Sequence, residues 1–134
     1  MKPREEMIRD LVRQWFAKAD LDMGLAEHIV GEATLFIAAT GFHCQQAAEK
    51  YLKAFLVHHQ LEFPKTHDLG DLLDLVERVD VGLAAELKSI TFLNPYGVDF
   101  RYPSDLPSMT VEEAHRALEL ARKVQTAVQS RIGK

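Results

Sequence analysis

Apolar residues recur at steps of three and four positions along most of this 134-residue chain. In the first segment these residues are Ile8, Val12, Trp15, Ala19, Met23, Ala26 and Ile29. This period predicts an amphipathic helix over about 5–30, and similar patterns predict helices over about 34–60, from Thr66, over about 83–93 and from Thr110. Because no segment alternates apolar and polar residues as a half-buried strand does, the sequence predicts an all-α fold. We expect a single domain over the whole chain, built as an up-and-down antiparallel bundle of about five helices.

Three helix boundaries carry specific signals. Thr66 follows a proline turn and has the side chain of an N-cap residue, so it is predicted to begin the third helix. Thr110 and Glu113 have the spacing of a capping box, which predicts the start of the last helix. Thr40-Gly41 lowers helix propensity early in the second helix, which allows the helix proper to begin near Phe42.

Composition narrows the class of protein. The formal net charge is -4, with 16 Lys and Arg against 20 Asp and Glu, so the chain lacks the basic excess of a typical nucleic-acid binder. Any phosphate contact must therefore be local. A single cysteine, Cys44, and an N-terminus without a signal-peptide pattern predict a cytoplasmic protein, and no apolar run is long enough for a membrane span.

The second predicted helix carries a polar stripe on the side opposite its apolar face. Gln46, Lys50 and Lys53 fall within about 60° of one another when residues are spaced by 100°. This pattern fits a solvated surface on which Glu49 pairs with Lys53 at i,i+4. Two ammonium groups on one face also fit an anion-binding site, and the spacing by itself does not choose between the two.

The segment "KTHDL" allows a second pair of interpretations. Thr66 as an N-cap, followed by Asp68, explains it as a helix start, with His67 packing or facing water. Alternatively, the free backbone N–H groups of a helix N-terminus, flanked by Lys65 and His67, offer donors to a phosphate.

The segment "FRYP" places an arginine between two aromatic residues, just before a proline that stiffens the chain. Arg101 could anchor the loop to a carboxylate such as Asp99 or Asp105. It could equally form a fork for phosphate, with Tyr102 stacking or hydrogen bonding beside it. The sequence leaves these two roles open.

Four segments together resemble the HEPN domain family: "AKADLDMGLAEHI", "FHCQQAAEKYLKAFL", "PKTHDLGDLLDLV" and "FRYPSD". The resemblance implies an all-α bundle, commonly a homodimer, that binds nucleotides or nucleic acid and often acts beside a small nucleotidyltransferase. The matching residues are Gln46, Glu49, Lys50, Lys53, Thr66, His67, Arg101 and Tyr102. The resemblance therefore implies a polar cleft made by the stripe, the "KTH" turn and the "RYP" segment.

Many members of that family are ribonucleases, marked by an arginine and a histidine that are separated by four to six intervening residues near the start of the last helix. No arginine in this chain precedes a histidine at that spacing. His115 lies near the predicted helix start, but Arg101 is too far upstream. Lys53 and His58 have the interval with the wrong cation and in another helix. No catalytic residue is therefore assigned, and no metal-binding or cofactor motif is present.

The leading expectation is a non-catalytic subunit that binds a nucleotide or a nucleotide-bearing substrate, with a nucleotidyltransferase as its partner. A ribonuclease toxin that cleaves RNA, with His67 or His115 as acid or base, is the first alternative, and a structural interaction protein is the second. A homodimer is expected from the resemblance and from apolar residues such as Phe42 and Val57 on the polar side of the second helix. We also expect a ligand site in which Lys50, Lys53, His67 and Arg101 converge, with Gln46, Thr66 and Tyr102 beside them.

Overall fold

A computed structural model describes residues 3–30, 37–97 and 109–133 of the chain. All regular structure in these ranges is helical. The α-helices are α1 (Arg4–Ile29), α2 (Ile37–His58), α3 (Leu69–Glu77), α4 (Val81–Glu86) and α5 (Val111–Ile132), and a 3₁₀ helix covers Lys88–Gly97. The prediction of an all-α fold is confirmed. Among the described residues, no helix combines the length and the apolar character that crossing a membrane would require.

The chain reverses direction between α1 and α2. The ring of Phe16 in α1 lies 5.5 Å from the ring of Tyr51 in α2, while Asp22, further along α1, contacts His43, which comes about two turns earlier in α2. These pairs show that α1 and α2 are antiparallel. Short helices α3 and α4 and the 3₁₀ helix connect α2 to α5, so the predicted up-and-down bundle is confirmed.

The core lies where α2 packs between α1, α5 and the shorter helices. Its largest fully buried side chains are Tyr51, Phe16, Phe55, Met23, Leu52, Leu56, Leu69, Leu72, Leu83, Leu87, Ile90 and Leu93. Cys44 is also fully buried, and desolvation raises the pKa of its thiol from 9.0 to about 12. Cys44 is therefore a packed structural thiol, because a protonated buried thiol is a poor nucleophile.

The start of α3 differs from the prediction. The N-cap is Asp68, whose carboxylate accepts a hydrogen bond from the backbone N–H of Asp71. Thr66 lies two residues upstream, where its hydroxyl accepts from the backbone N–H of Asp68 at 3.1 Å and donates to the Asp71 carboxylate at 3.0 Å. Threonine and aspartate are both good N-cap residues, but a helix has only one N-cap. Asp68 takes that position here, and Thr66 instead stabilises the turn before the helix.

The second and fourth predicted helices also differ in their limits. Helix α2 is already continuous from Ile37 and runs through Gly41, so the start near Phe42 is wrong. A Cβ at Gly41 would lie 3.0 Å from the Tyr96 side chain and 3.1 Å from Met109, so glycine allows this close packing. The predicted fourth helix divides at Leu87, the C-cap of α4, into α4 and the 3₁₀ helix.

The predicted capping box at α5 is confirmed. The backbone N–H of Glu113 donates to the Thr110 hydroxyl at 3.1 Å, and the N–H of Thr110 donates to the Glu113 carboxylate at 2.9 Å. At the other end, Gly133 adopts a left-handed conformation with φ 72°, which favours glycine.

Asp80 links two helices, and its loss should measurably weaken the fold. Its carboxylate caps α4 by accepting from the N–H of Leu83 at 2.8 Å and also accepts from Nε of Arg131 in α5 at 2.9 Å. We expect Asp80→Ala to lower the free energy of unfolding by about 1–2 kcal/mol in urea denaturation at pH 7. Asp80→Asn, which keeps a capping oxygen, should lose less.

The pH dependence provides a second test of Asp80. The hydrogen bond from Leu83, followed by the contact with Arg131, holds the pKa of this carboxyl below its ordinary value of 3.8. A lowered pKa in the folded state means that the stabilisation is present above pH 3.8 and is lost as the pH falls through the folded pKa. The wild type and Asp80→Ala should therefore converge in stability at acidic pH, and a constant difference would contradict this role.

Candidate functional site

The middle of α2 buries a carboxylate, that of Glu49. Glu49 is 3% exposed and accepts hydrogen bonds from three side chains. Nζ of Lys53 lies 3.0 Å from Oε2, Nε2 of Gln45 lies 3.2 Å from Oε1, and Nδ1 of His67 lies 3.0 Å from Oε1. Glu49 is therefore the centre of a polar network that joins α2 to the segment before α3.

His67 is the outward-facing member of this network. Its side chain is 73% exposed, although its Nδ1 lies within hydrogen-bonding distance of both Glu49 oxygens. An ionised carboxylate can only accept, so Nδ1 carries the hydrogen and Nε2 remains for an outside partner. Glu49 thus fixes both the orientation of the ring and the nitrogen that it presents.

Lys53 lies on the inner side of the network. The residue is only 7% exposed, and its ammonium is 5.7 Å from the ring centroid of Trp15 and 5.5 Å from that of Phe63. The two ring faces and the Glu49 carboxylate together stabilise this desolvated cation. Lys53 is therefore a structural partner of Glu49 with little surface to offer a ligand.

Gln45 extends the network toward the 3₁₀ helix. Its amide nitrogen donates to Glu49 and also to the backbone carbonyl of His67, at 3.0 Å. Its oxygen accepts from Nε2 of Gln46 at 2.7 Å. A Cβ at Gly97 would lie 2.3 Å from Cδ of Gln45, so the network needs glycine at position 97.

A small open pocket adjoins the exposed imidazole. It has a volume of about 210 Å³ and is lined by His67, Asp68, Asn94 and Gly97. The Asn94 side-chain oxygen accepts from the backbone N–H of Leu69 at 2.9 Å, which holds the amide at the pocket wall. A volume of this size suits part of a nucleotide, since whole small-molecule sites are usually about 300 Å³ or larger.

A second buried carboxylate lies on the α1 side of α2. Asp22 is 7% exposed and accepts from Nζ of Lys50, while Nδ1 of His43 lies 2.8 Å from its other oxygen. The Lys50 and His43 side chains are 22% and 25% exposed. In the part of the chain that the structure describes, no three His, Cys, Asp or Glu side chains are placed to hold a metal ion.

The predicted site residues therefore occupy several different environments. Lys53 and His67 converge on Glu49, whereas Lys50 bonds to Asp22 instead. The Glu49 and Lys53 pair exists at i,i+4, but it is buried and not solvated, so the interpretation of a solvated surface is wrong for these two residues. Gln46 bonds to Gln45 at the edge of the network. The predicted Arg101 and Tyr102 lie outside the described residues.

Three of the backbone N–H groups that the phosphate hypothesis used at the N-terminus of α3 already have acceptors. The backbone N–H groups of Asp68, Leu69 and Asp71 donate to Thr66, Asn94 and Asp68 respectively. The two aspartate carboxylates also oppose an approaching anion. Exposed His67 is therefore the better candidate for a ligand contact at this end of the pocket.

Sequence reasoning missed several members of the site. Neither Gln45 nor Asn94 is among the predicted site residues, and the spacing of Glu49 and Lys53 predicts only a surface pair, although the family resemblance includes Glu49. A signal existed for Gln45, which lies four residues before Glu49 in "QQAAEK" and so shares a helix face with it. No local signal marks Asp22 or Asn94, because both are brought to the site by the packing of distant segments.

Comparisons with known proteins agree with this architecture. No curated protein matches the sequence significantly. The crystal structure of TT1696 from Thermus thermophilus is similar to this chain, with 31% sequence identity and a TM-score of 0.73, and the match covers 89% of this chain and 96% of that one. The model of the HEPN domain family matches residues 12–131, which include α2, α3 and the whole polar network. The chain belongs to the HEPN domain family.

Proposed function

We propose that this chain is a non-catalytic HEPN subunit that binds a nucleotide or a nucleotide-bearing substrate. It acts as a homodimer beside a separate small nucleotidyltransferase, a pairing that the family membership favours. The observation that carries the ligand-binding part is the exposed His67 imidazole held by buried Glu49 at the mouth of the pocket.

The energetics of the network support a role beyond folding. A buried ion pair such as Glu49 with Lys53 is often no more stabilising than apolar residues of similar size, because both charges lose their hydration. A chain that needed only a packed core would do as well with leucine or methionine at these positions. The network instead fixes one exposed imidazole, which is a typical arrangement at binding and catalytic sites.

The positions of the described residues support an assignment of each side chain to one part of the ligand. His67 presents Nε2 to the pocket, and Asn94 contributes its amide group to the wall. Arg101 and Tyr102 follow Gly97 by four and five positions, and four extended residues span at most about 14 Å. We therefore propose that Arg101 contacts the phosphate and Tyr102 the base or sugar, with Lys53 acting only through Glu49.

A ribonuclease function is the second candidate, and one specific observation favours it. A histidine whose Nδ1 is held by a buried carboxylate and whose Nε2 faces outward has the geometry of a general base. The dyad of Glu49 and His67 has this geometry. RNA cleavage would also need a cation to stabilise the transition state, and the Lys53 ammonium is already held by Glu49.

Calorimetric titration with mono- and dinucleotides tests the proposed site. We expect His67→Ala and Arg101→Ala each to weaken binding by about tenfold or more, because each removes a hydrogen bond to the ligand or its phosphate. His115→Ala, which alters an exposed histidine on α5, is the matched control and should bind as the wild type does. Equal affinities for all four proteins would reject the site.

A cleavage assay separates the two candidates. We expect the wild type to degrade single-stranded RNA no faster than the double variant Lys53→Ala, His67→Ala. Robust cleavage that the double variant loses, while His115→Ala retains it, would favour the ribonuclease over the binding subunit.

A further inference from the structure

Helix α1 carries more exposed large apolar side chains than any other described element. The exposed large apolar side chains in the described residues are Met7, Leu11, Leu21, Leu25, Val79, Val81 and Val111. Four of these seven residues lie on α1. Apolar residues scattered singly on a surface need no explanation, but a group on one helix indicates an interaction surface.

These four residues belong to a regular series. Together with the exposed Gln14 and Lys18, they follow alternating steps of four and three residues from position 7 to position 25. Such steps are the a and d positions of a coiled-coil heptad. At 100° per residue the six side chains fall within about 80° of helix surface, along a length of about 27 Å. We call Met7, Leu11, Gln14, Lys18, Leu21 and Leu25 the α1 seam.

The α1 seam is symmetric about Phe16, which itself faces the core. Its six residues form three pairs that are equally distant from this point: Met7 with Leu25, Leu11 with Leu21, and Gln14 with Lys18. A two-fold dimer requires a surface that is complementary to itself, so that residue i meets residue j and residue j meets residue i. An antiparallel copy of the same helix satisfies this condition at every position of the α1 seam.

The polar centre of the α1 seam selects that orientation. Parallel copies would bring Lys18 against Lys18, a repulsive contact, whereas antiparallel copies place Lys18 against the amide of Gln14. One flank of the α1 seam carries the small residues Ala17 and Gly24, and no neighbouring side chain fills the space where a Cβ of Gly24 would lie. Small residues at this edge allow two helix backbones to approach closely.

We propose that the α1 seam is the contact surface of a homodimer, in which α1 of each copy packs antiparallel against α1 of the other. This inference rests on the homodimer of the proposed function and names its surface. It moves the contact away from Phe42 and Val57, since both side chains are partly buried and Val57 packs against the core of its own chain.

The mass of the full chain in solution tests the proposal. Light scattering and sedimentation over about 1–100 µM should show a dimer for the wild type and an increase of at least about tenfold in the dissociation constant for Leu21→Glu. Val81→Glu is the matched control, because Val81 and Leu21 are both 66% exposed and only Leu21 lies on the α1 seam. Leu11→Glu should repeat the effect, and circular dichroism checks that each variant is folded. A monomeric wild type, or a dimer unaffected by both seam variants, overturns the proposal.

Cysteine crosslinking tests the direction of the pairing. Leu11→Cys and Leu21→Cys variants should form few crosslinked dimers alone but should crosslink when mixed under mild oxidation, because antiparallel copies place position 11 against position 21. Native Cys44 is fully buried and should not interfere. Crosslinking of each variant with itself, and none between the two, would show a parallel arrangement and reject the model.

Ligand binding separates this inference from the proposed site. Leu21→Glu should retain the nucleotide affinity of the wild type if the ligand contacts His67 of one copy only. The titration of His67→Ala therefore still tests the ligand site when the dimer test fails. Loss of nucleotide binding in Leu21→Glu, with the dimer intact, would contradict the assignment of this residue to the dimer surface.

Discussion

Glu49→Ala is expected to lower the free energy of unfolding by about 3–5 kcal/mol, because it leaves the buried Lys53 ammonium without its counter-ion. Lys53 is 7% exposed and cannot regain its hydration without moving out of the α1–α2 interface. His67 loses the acceptor that holds its ring in the same variant. Urea denaturation at pH 7 measures the change, and nucleotide titration of the variant should show weakened binding as well.

Two control variants test whether the stability loss of Glu49→Ala comes from the unpaired charge of Lys53. The double variant Glu49→Leu, Lys53→Met replaces both charges with apolar groups of similar size and should recover most of the lost stability. Glu27→Ala breaks an exposed ion pair with Arg122, 2.9 Å apart, and should cost less than about 1 kcal/mol. If Glu49→Ala were no more destabilising than Glu27→Ala, the buried network would not be the stabilising unit described above.

Tyr51→Ala is expected to cost about 3–5 kcal/mol, because the fully buried Tyr51 ring packs against Phe16 at the centre of the bundle. The hydroxyl has a separate role. It donates to the Asp20 carboxylate in α1 and accepts from Nε2 of Gln125 in α5 at 2.9 Å, so it joins three helices. Desolvation and the contact with Asp20 raise the pKa of this hydroxyl, which keeps it protonated and able to donate.

Tyr51→Phe separates the ring from the hydroxyl. This variant keeps the packing but removes both hydrogen bonds, so we expect a loss of about 1–2 kcal/mol in urea denaturation. The difference between the two variants then reports the ring alone. A loss as large for Tyr51→Phe as for Tyr51→Ala would show that the hydrogen bonds across α1, α2 and α5 matter more than the packing.

The polar stripe shows that sequence spacing predicts a contact but does not predict its burial. The spacing of Glu49 and Lys53 predicts an i,i+4 contact, and the structure confirms it at 3.0 Å. The same spacing occurs on solvated helices, so the sequence does not reveal that both residues are buried. Burial is decided by the ring of Trp15 and the ring of Phe63, which come from segments before and after α2.

The helix starts show the same limit on a smaller scale. The capping box of Thr110 and Glu113 was predicted correctly, because all of its hydrogen bonds lie within four consecutive residues. The predicted N-cap Thr66 was wrong, since Asp68 is an equally good cap two residues later. Asn94 of the distant 3₁₀ helix also holds the observed start of α3, because its side-chain oxygen accepts from the backbone N–H of Leu69.

The sequence by itself determined the helical class, the long amphipathic helices, the α5 capping box and the family resemblance, because each depends on residues close together along the chain. Only the tertiary structure decided which polar residues belong to one site. It paired Lys50 with Asp22, and it placed exposed His67 on buried Glu49. Such contacts join residues far apart in sequence, and their energies depend on burial and on distance in three dimensions, neither of which periodicity encodes.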